Sequence, residues 1–278
     1  MSAPAADFHA GSAELWPRSL LARLDRLREG TVAMGWAELR KLRHDHLDIF
    51  TRSVQPLLWL FIFGTALRHN RALSGGFHDY RAYLAPGVMA QAALFIAIFF
   101  GLAVIWERDV GQLQRLLATP IPRLGIVLGK ATGAGIRALT QAAVLLTVLA
   151  AAGIAIHWNP LDVAGTLVLL VLGTGGFACL SMIIASLVRT RERFMGIGQL
   201  VMMPLFFASS ALYPLSIMPQ WLRIVARVNP LTYEVHGMRQ LLLGISSGGT
   251  LWLDFAVGSL FLTITAGIAA KTYPRAIL

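Results

Sequence analysis

Six apolar runs recur along the chain between shorter polar stretches, each about 20 residues long and so able to cross about 30 Å of hydrocarbon as a helix. They are Ile49 to Leu67, Tyr83 to Ile105, Ala131 to Ile156, Val163 to Val188, Met195 to Leu212 and Trp252 to Ala270. The runs are continuous rather than alternating, which selects helices over barrel strands, and a helix satisfies its backbone hydrogen bonds within one segment. Glycines and prolines inside them (Pro56, Pro86, Gly173, Gly175, Gly176, Pro204) mark kinks or close helix contacts. The pattern predicts an all-α polytopic membrane protein with six transmembrane helices.

The stretches outside the runs have their own order. Residues 1–19 open with "MSAPAADFHAGS", small and polar, and are expected to be a disordered tail. From Leu20, leucines at 20, 24 and 27 repeat at helical spacing among Arg23, Arg26 and Arg28. Further on, "WAELRKLRHDHLDIF" places Trp36, Leu39, Leu42, His46, Leu47 and Phe50 near one face, with Arg40, Lys41 and Arg43 mostly elsewhere. Residues 20–48 therefore read as an amphipathic interface region along the inner leaflet, 49–270 as the transmembrane domain and 271–278 as a tail.

The loop from Arg68 to Arg81 is short, and His157 to Asp162 is a turn. By contrast, Tyr213 to Gly249 is long, partly apolar and broken by Pro214, Pro219 and Pro230. Irregular backbone at membrane depth must be buried in protein or line a cavity. Two short helices dipping into the outer leaflet, about Pro219 to Val228 and Leu231 to Leu243, would meet that condition.

Composition agrees with a membrane solvent. The chain is 56% hydrophobic and 14% charged, against about 45–50% and 25% in soluble domains. Of its 24 Lys and Arg, eighteen fall on the side that holds both termini and six on the other, which makes the first side cytoplasmic. The formal net charge of +10 is then topology and attraction to anionic lipid rather than a nucleic-acid footprint, since no compact basic and aromatic module is present. The first 30 residues hold no apolar segment of signal-peptide length, so no cleavable signal is expected. Cys179 is the single cysteine and lies within a span, which excludes an intramolecular disulfide and a CxxC site.

Candidate chemistry is sparse. "GIVLGK" at 125–130 is not a phosphate loop: the two glycines stand one residue too close, and Ala131 replaces the hydroxyl residue that binds magnesium. No H-E-x-x-H, G-x-S-x-G or dense Asp motif occurs. His44, Asp45, His46 and Asp48 alternate, and residues i and i+2 of a helix diverge, so they form a solvated surface rather than a metal site. Arg137 is the strongest ionisable candidate inside a span, with Arg52, Glu107 and Asp254 near span ends. Two turns from the boundary, its long side chain is expected to snorkel to the cytoplasmic face.

The segment 107–130, "ERDVGQLQRLLATPIPRLGIVLGK", follows the second run. It contains a short helix with Leu113, Leu116 and Leu117 on one face and Glu107, Arg108, Asp109, Gln112, Gln114 and Arg115 around it, stopped by "TPIPR". A short helix held between two spans suits contact with a soluble partner; an ordinary inner-leaflet loop is the other reading of the same residues.

The segment closely resembles type-2 ABC exporter permeases, which commonly read E-R-x-x-G-T-[LM]-E-x-L-L-x-[TS]-P-[VI]-x-R-x-x-[IL]-x-[LG]-G-K at this place. The match takes in Glu107, Arg108, Gly111, Leu113, Leu116, Leu117, Thr119, Pro120, Arg123, Gly129 and Lys130, while Gln112 and Gln114 depart from it. "NPLTYEVHGMRQLLLG" from Asn229 and "MMPLFFASSALYPLSIMPQWL" from Met202 are similar to the family's segments before the last span. The resemblance covers about residues 36 to 270.

It implies a non-catalytic permease that pairs with a second copy of itself and with two copies of a soluble ATP-binding subunit. ATP and Mg2+ would be held there, with no cofactor in this chain. The stretch holding Glu107, Arg108, Gly111, Leu113, Arg115, Leu116, Leu117, Thr119 and Pro120 would be the coupling helix. Glu107 and Arg108 would anchor it, the three leucines would pack into the partner, and Pro120 would end it. The interface helix with Trp36, Leu39, Leu42 and Leu47 would lie beside it. An outer re-entrant segment with Tyr213, Pro214, Trp221, Asn229, Pro230 and Tyr233 would cap a pathway lined by spans one, two and five. The implied activity is export of an amphipathic substrate, drug-like or a lipid-linked glycan, across a bacterial plasma membrane with both termini inside. The competing class is a transporter, channel or lipid-modifying enzyme that works without an ATPase.

Overall fold

The computed structural model describes residues 20–42, 46–67, 79–119, 121–188, 190–245 and 250–273; the tail at 1–19, His44 and Asp45, and Pro120 lie outside that set. The described residues form ten α-helices and no strand. They are α1 (Leu20–Leu42), α2 (His46–Ala66), α3 (Tyr80–Asp109), α4 (Gln112–Leu117), α5 (Arg123–Ala151), α6 (Pro160–Leu187), α7 (Arg191–Phe207), α8 (Gln220–Val228), α9 (Pro230–Leu243) and α10 (Leu251–Thr272).

Local chemistry sets the ends. The side chains of Asp79, Asn159, Thr190 and Asn229 accept from backbone amides in the first turns of α3, α6, α7 and α9. Pro160 and Pro230 open their helices, where the missing N–H costs nothing. Gly244 closes α9 in the left-handed region (φ 63°), which its lack of a Cβ permits.

Four helices, α3, α5, α6 and α10, are long and apolar enough to cross a membrane. The expected first and fifth runs fall in α2 and α7. α7 is the shorter, at 17 residues, because it opens on Arg191, Glu192 and Arg193 and stops at Phe207. Residues 208–212, expected to continue the fifth span, instead fold as a bend. Asn229 Nδ2 draws it in by donating to Leu205 O (2.6 Å) and Ala208 O (2.9 Å), and Ser209 Oγ donates to Phe206 O (2.6 Å). The third run also ends early, at Ala151, where Gly153 (φ 63°) turns the chain.

α6 forms the centre, with α3, α5, α9 and α10 around it. Its seam with α3 is close: Ser181 Oγ donates to Ile98 O (3.0 Å) over Gly101. The buried cluster runs through all five of these helices, from Leu84, Ala90 and Val104 through Ala134, Leu145 and Phe177 to Val235 and Ala266.

α1 packs along the first half of α5. Gly30 meets Ile121, Gly129 meets Met34 and Gly133 meets Glu38, so the two helices run in the same direction. Its buried edge is therefore protein-facing, while Trp36 points away at 61% exposure and Leu39 is half-buried. Leu47 was expected on the same interface helix but stands in the first turn of α2; the side chains of Leu42 and Leu47 are outside the described set.

This packing corrects the reading of Arg137. Its guanidinium does not simply snorkel: Nη2 donates to Glu38 Oε2 (3.3 Å), and the group lies 5.2 Å over the Phe100 ring. Glu38 is nearly buried in that seam. Replacing it with Ala is expected to lower stability by about 1 to 3 kcal/mol, the scale for hydrogen bonds to charged groups. Thermal unfolding in lipid nanodiscs measures this, and Glu38→Gln should lose less because it keeps an acceptor.

Candidate functional site

The end of α3 carries three consecutive charged residues, and each reaches a different helix. Glu107 receives Lys130 Nζ of α5 on both oxygens, at 2.5 and 2.7 Å. Arg108 Nη1 donates to Val188 O at the end of α6 (3.1 Å). Asp109 Oδ2 accepts from Arg191 in the first turn of α7 (Nη2, 2.7 Å; Nε, 3.0 Å), and that guanidinium stacks 3.6 Å over Trp106. This end of α3 is thus tied directly to α5, α6 and α7.

Lys130 has only 2% of its side chain exposed, against 18% for Glu107, so the pair is held largely out of water. Tyr273, just past α10, is fully buried nearby, and burial together with the Glu107 charge holds its phenol well above the ordinary range.

Beyond Asp109 the chain reverses through Gly111, whose φ of 71° places it in the left-handed region, and enters α4. Thr119 Oγ1 donates to Leu116 O (2.6 Å) at the far end. The helix is rotated so that Leu113 is fully buried in its own bundle, Leu116 is half-buried, and Gln112, Gln114 and Arg115 are exposed. Leu113 is therefore not free to pack into a partner: it ties α4 to α3 and the core, and the outward surface is Gln112, Gln114 and Arg115 with only the edge of Leu116. The Leu117 side chain and Pro120 are outside the described set. A cleft of about 330 Å³ opens beside this surface, lined by Met34, Glu107, Gln112, Arg115, Leu116 and Thr119.

The stretch that imitates a phosphate loop is helical. It forms the first two turns of α5, with Gly125 against Leu27 and Gly129 against Met34, so its glycines serve the seam with α1.

At the opposite end, α8 and α9 stand where two short helices were expected. α9 runs antiparallel along α6: Leu241 meets Gly165, Leu169 meets Gly237, and Glu234 meets Gly173, which is midway along α6. The α8–α9 corner at Asn229 and Pro230 thus sits deep in the bundle. Arg239 is buried and pins the outer end, donating to Tyr83 O (3.2 Å), Ser210 O (2.9 Å) and Ala211 O (3.3 Å), with Tyr83 beneath it at 3.7 Å.

Of the aromatics expected there, Tyr213 and Tyr233 direct their hydroxyls to the carbonyls of Phe207 and Arg227, while Trp221 is exposed. Pro214 lines an open cavity of about 360 Å³ with Tyr83, Thr232, His236, Arg239 and Asp254. In it His236 Nδ1 lies 3.0 Å from Asp254 Oδ2.

An apolar groove of about 130 Å³ separates α3 from α7; Phe95, Phe99, Met195 and Met203 line it, with Gln91 and Gln199 as its polar points. Among the described residues, no cluster of His, Cys, Asp and Glu is placed to hold a metal ion.

The residues missed from sequence are Asp109 with Arg191, Glu38 with Arg137, and Arg239 as a staple. Each pairing joins residues more than 80 positions apart in the chain or targets a backbone carbonyl. The sequence singled out Arg137 as a charge inside a span, but nothing in it pointed to Glu38 or to the other partners.

A family model described as "ABC-2 type transporter" matches residues 29–243. The chain is similar to the "Putative transport permease ycf38" of Pyropia yezoensis, 29% identical over 225 residues, which covers 77% of this chain and 76% of that one. It is similar to "Nodulation protein J" of Rhizobium leguminosarum bv. trifolii, 32% identical over 194 residues, 68% of this chain and 72% of the other. It also resembles the "Daunorubicin resistance ABC transporter permease protein DrrB1" of Streptomyces coeruleorubidus, 19% identical over 243 residues, 87% of this chain and 85% of the relative.

Proposed function

The chain belongs to the ABC-2 type transporter family, and on that premise we propose that it is the export permease of an ATP-driven pump for an amphipathic substrate. It is an integral membrane protein and a non-catalytic subunit, and permeases of this family work with ATP-binding subunits.

The proposal takes two copies of this chain and two of a separate ATPase, which holds the ATP and Mg2+. α2 and α7 complete six spans, both termini face the cytoplasm, and the membrane is a bacterial plasma membrane. Closure of the ATPase dimer would push the two α4 helices together. The Glu107–Arg108–Asp109 fan, the observation that carries the reading, would relay that push into α5, α6 and α7. Rigidly packed helices of this kind switch between discrete arrangements rather than deforming continuously.

The α3–α7 groove supports an amphipathic cargo, since aromatic and methionine walls adapt to irregular apolar shapes and the two glutamines orient a polar group. The drug-resistance name of one relative favours a drug-like molecule, with a lipid-linked glycan as the second candidate. α8 and α9 would cap the path on the outer side.

The test is association. Joint Gln114→Lys and Arg115→Glu substitution changes only exposed side chains of α4, and it is expected to abolish co-purification with the ATPase in nanodiscs and reduce coupled ATP turnover at least tenfold. Full association and turnover in a folded variant would overturn the reading. Direction is read separately, by whether inside-out vesicles accumulate the cargo on adding ATP.

A further inference from the structure

Glu234 is the one carboxyl of the outer segment that the proposed relay does not use, and its setting is unlike that of any other acid in the bundle. It is 5% exposed, and both carboxyl oxygens are buried without a hydrogen-bond partner among the described residues. The group fills the space that a Cβ on Gly173 would occupy, so α9 closes on the midpoint of α6 through this contact. The neighbouring seam residues on the two helices, Leu169, Leu170, Leu231, Val235 and Met238, are buried and apolar.

The other titratable and charged groups on the helices packed around α9 are engaged elsewhere or exposed. On α6, Asp162 pairs with His157 (2.8 Å), and Cys179 is a buried thiol six residues beyond Gly173. On α10, Asp254 faces His236. On α3, Arg81 holds Asp79, Tyr80 donates to Leu212 O, and Tyr83 lies under Arg239. On α8, Arg223 donates to the carbonyls of Leu215, Ser216 and Met218, and Arg227 is exposed. On α9 itself, Arg239 is spent on carbonyls and Tyr233 on Arg227 O.

An ionised carboxylate enclosed in this way, with no cation and no donor, is far less favourable than the neutral acid, so the group neutralises instead. Ionisable residues at membrane depth without a structural partner mark functional positions.

We propose that Glu234 is a proton-binding site of the α6–α9 seam: its carboxyl carries a proton while α9 is seated on Gly173, and gives that proton to water entering when the seam parts. The charge then left on Glu234 opposes reseating until a proton returns, which makes closure of the outer segment sensitive to the pH of the water that reaches it. The link to transport rests on the permease reading above; the protonation itself does not.

Infrared spectroscopy of the full chain in lipid nanodiscs tests both halves. The wild type is expected to show a protonated-carboxyl C=O band at neutral pH that persists into the alkaline range, and Glu234→Gln should remove that band while keeping the neutral shape. A spectrum with no such band at neutral pH, or a band unchanged by the Gln variant, overturns the site. If the variant does not fold, the wild-type titration decides alone: loss of the band in the acid range of ordinary carboxylates overturns the proposal, and survival through neutrality supports it. With the ATPase present, trapping the nucleotide-bound state should reduce the band by half or more. An unchanged band in a complex with normal ATP turnover overturns proton release, whereas failure to form the complex counts against the permease reading and leaves the protonation result standing.

Discussion

Glu107→Ala is expected to destabilise the α3–α5 end of the bundle by about 3 to 5 kcal/mol, the scale for stripping one partner from a buried ion pair. The reason lies with Lys130, whose side chain is 2% exposed and whose ammonium meets both Glu107 oxygens. Removing the acid leaves that cation enclosed between α3 and α5 with nothing to neutralise it. The pair itself adds little net stability over an apolar equivalent, because both groups lose their hydration on burial. The joint change Glu107→Leu and Lys130→Met should therefore recover most of the lost stability. Tryptophan-fluorescence unfolding in nanodiscs separates the cases. A Glu107→Ala protein within about 1 kcal/mol of wild type would mean that the pair is screened like a surface bridge.

That result also bears on tests of the partner contact. Reversing the charges of Glu107 and Arg108 together would break links to α5 and α6 inside the chain, so a lost complex would not identify a lost docking contact. Gln114 and Arg115 are exposed on α4, which is why they carry the association test.

The second large effect is expected at Gly101. A Cβ there would overlap Ser181 Oγ and lie 2.6 Å from Ser181 O and 2.7 Å from Phe194 Cζ, so the obstacle includes the backbone of α6. Ala at this position gains about 1 kcal/mol of helix propensity but forces α3 away from α6, and overpacking of this kind costs about 1 to 3 kcal/mol. It also stretches the Ser181 to Ile98 hydrogen bond. Net destabilisation with α3 displaced in its C-terminal half is the expected outcome and, on the proposed function, weakened ATPase coupling, since that half carries Glu107 to Asp109. Gly267→Ala is the control: nothing lies within 4 Å of its Cβ position, so only the propensity gain remains and the melting temperature should rise. If both alanines shifted stability in the same direction, the close α3–α6 approach would not be limiting.

Much of the architecture follows from one-dimensional pattern. The runs around Ala90, Val144, Leu170 and Phe261 are long enough and apolar enough to dictate helices α3, α5, α6 and α10 wherever they pack. Pro219 and Pro230 break the outer segment into two helices by removing amide donors, and Asn229 and Asn159 cap with their own side chains, so α6, α8 and α9 start within a residue or a few of their expected places. The glycine spacing of "GIVLGK" was enough to reject a phosphate loop, because that motif is contiguous in sequence and its geometry is local.

Rotation about each helix axis is another matter. α3 and α6 are apolar on all sides, so no stripe tells which face meets which neighbour. On α4 and α5 the polar positions were visible but their partners were not: Leu113 was expected to face a partner and is buried instead, and Arg137 was expected to snorkel and meets Glu38. The fan from Glu107, Arg108 and Asp109 is three adjacent letters in the sequence, but its meaning depends on where Lys130, Val188 and Arg191 arrive in space. Glu234 over Gly173 is the same case. The sequence by itself determined which segments are helical and, at the capped and proline-opened ends, where they start, since those forces act within a turn or two; the break after Phe207 it did not, because Asn229 makes it from more than 20 residues away. Only the tertiary structure decided which buried charges are paired and which is left alone, because that depends on helix packing between residues tens of positions apart.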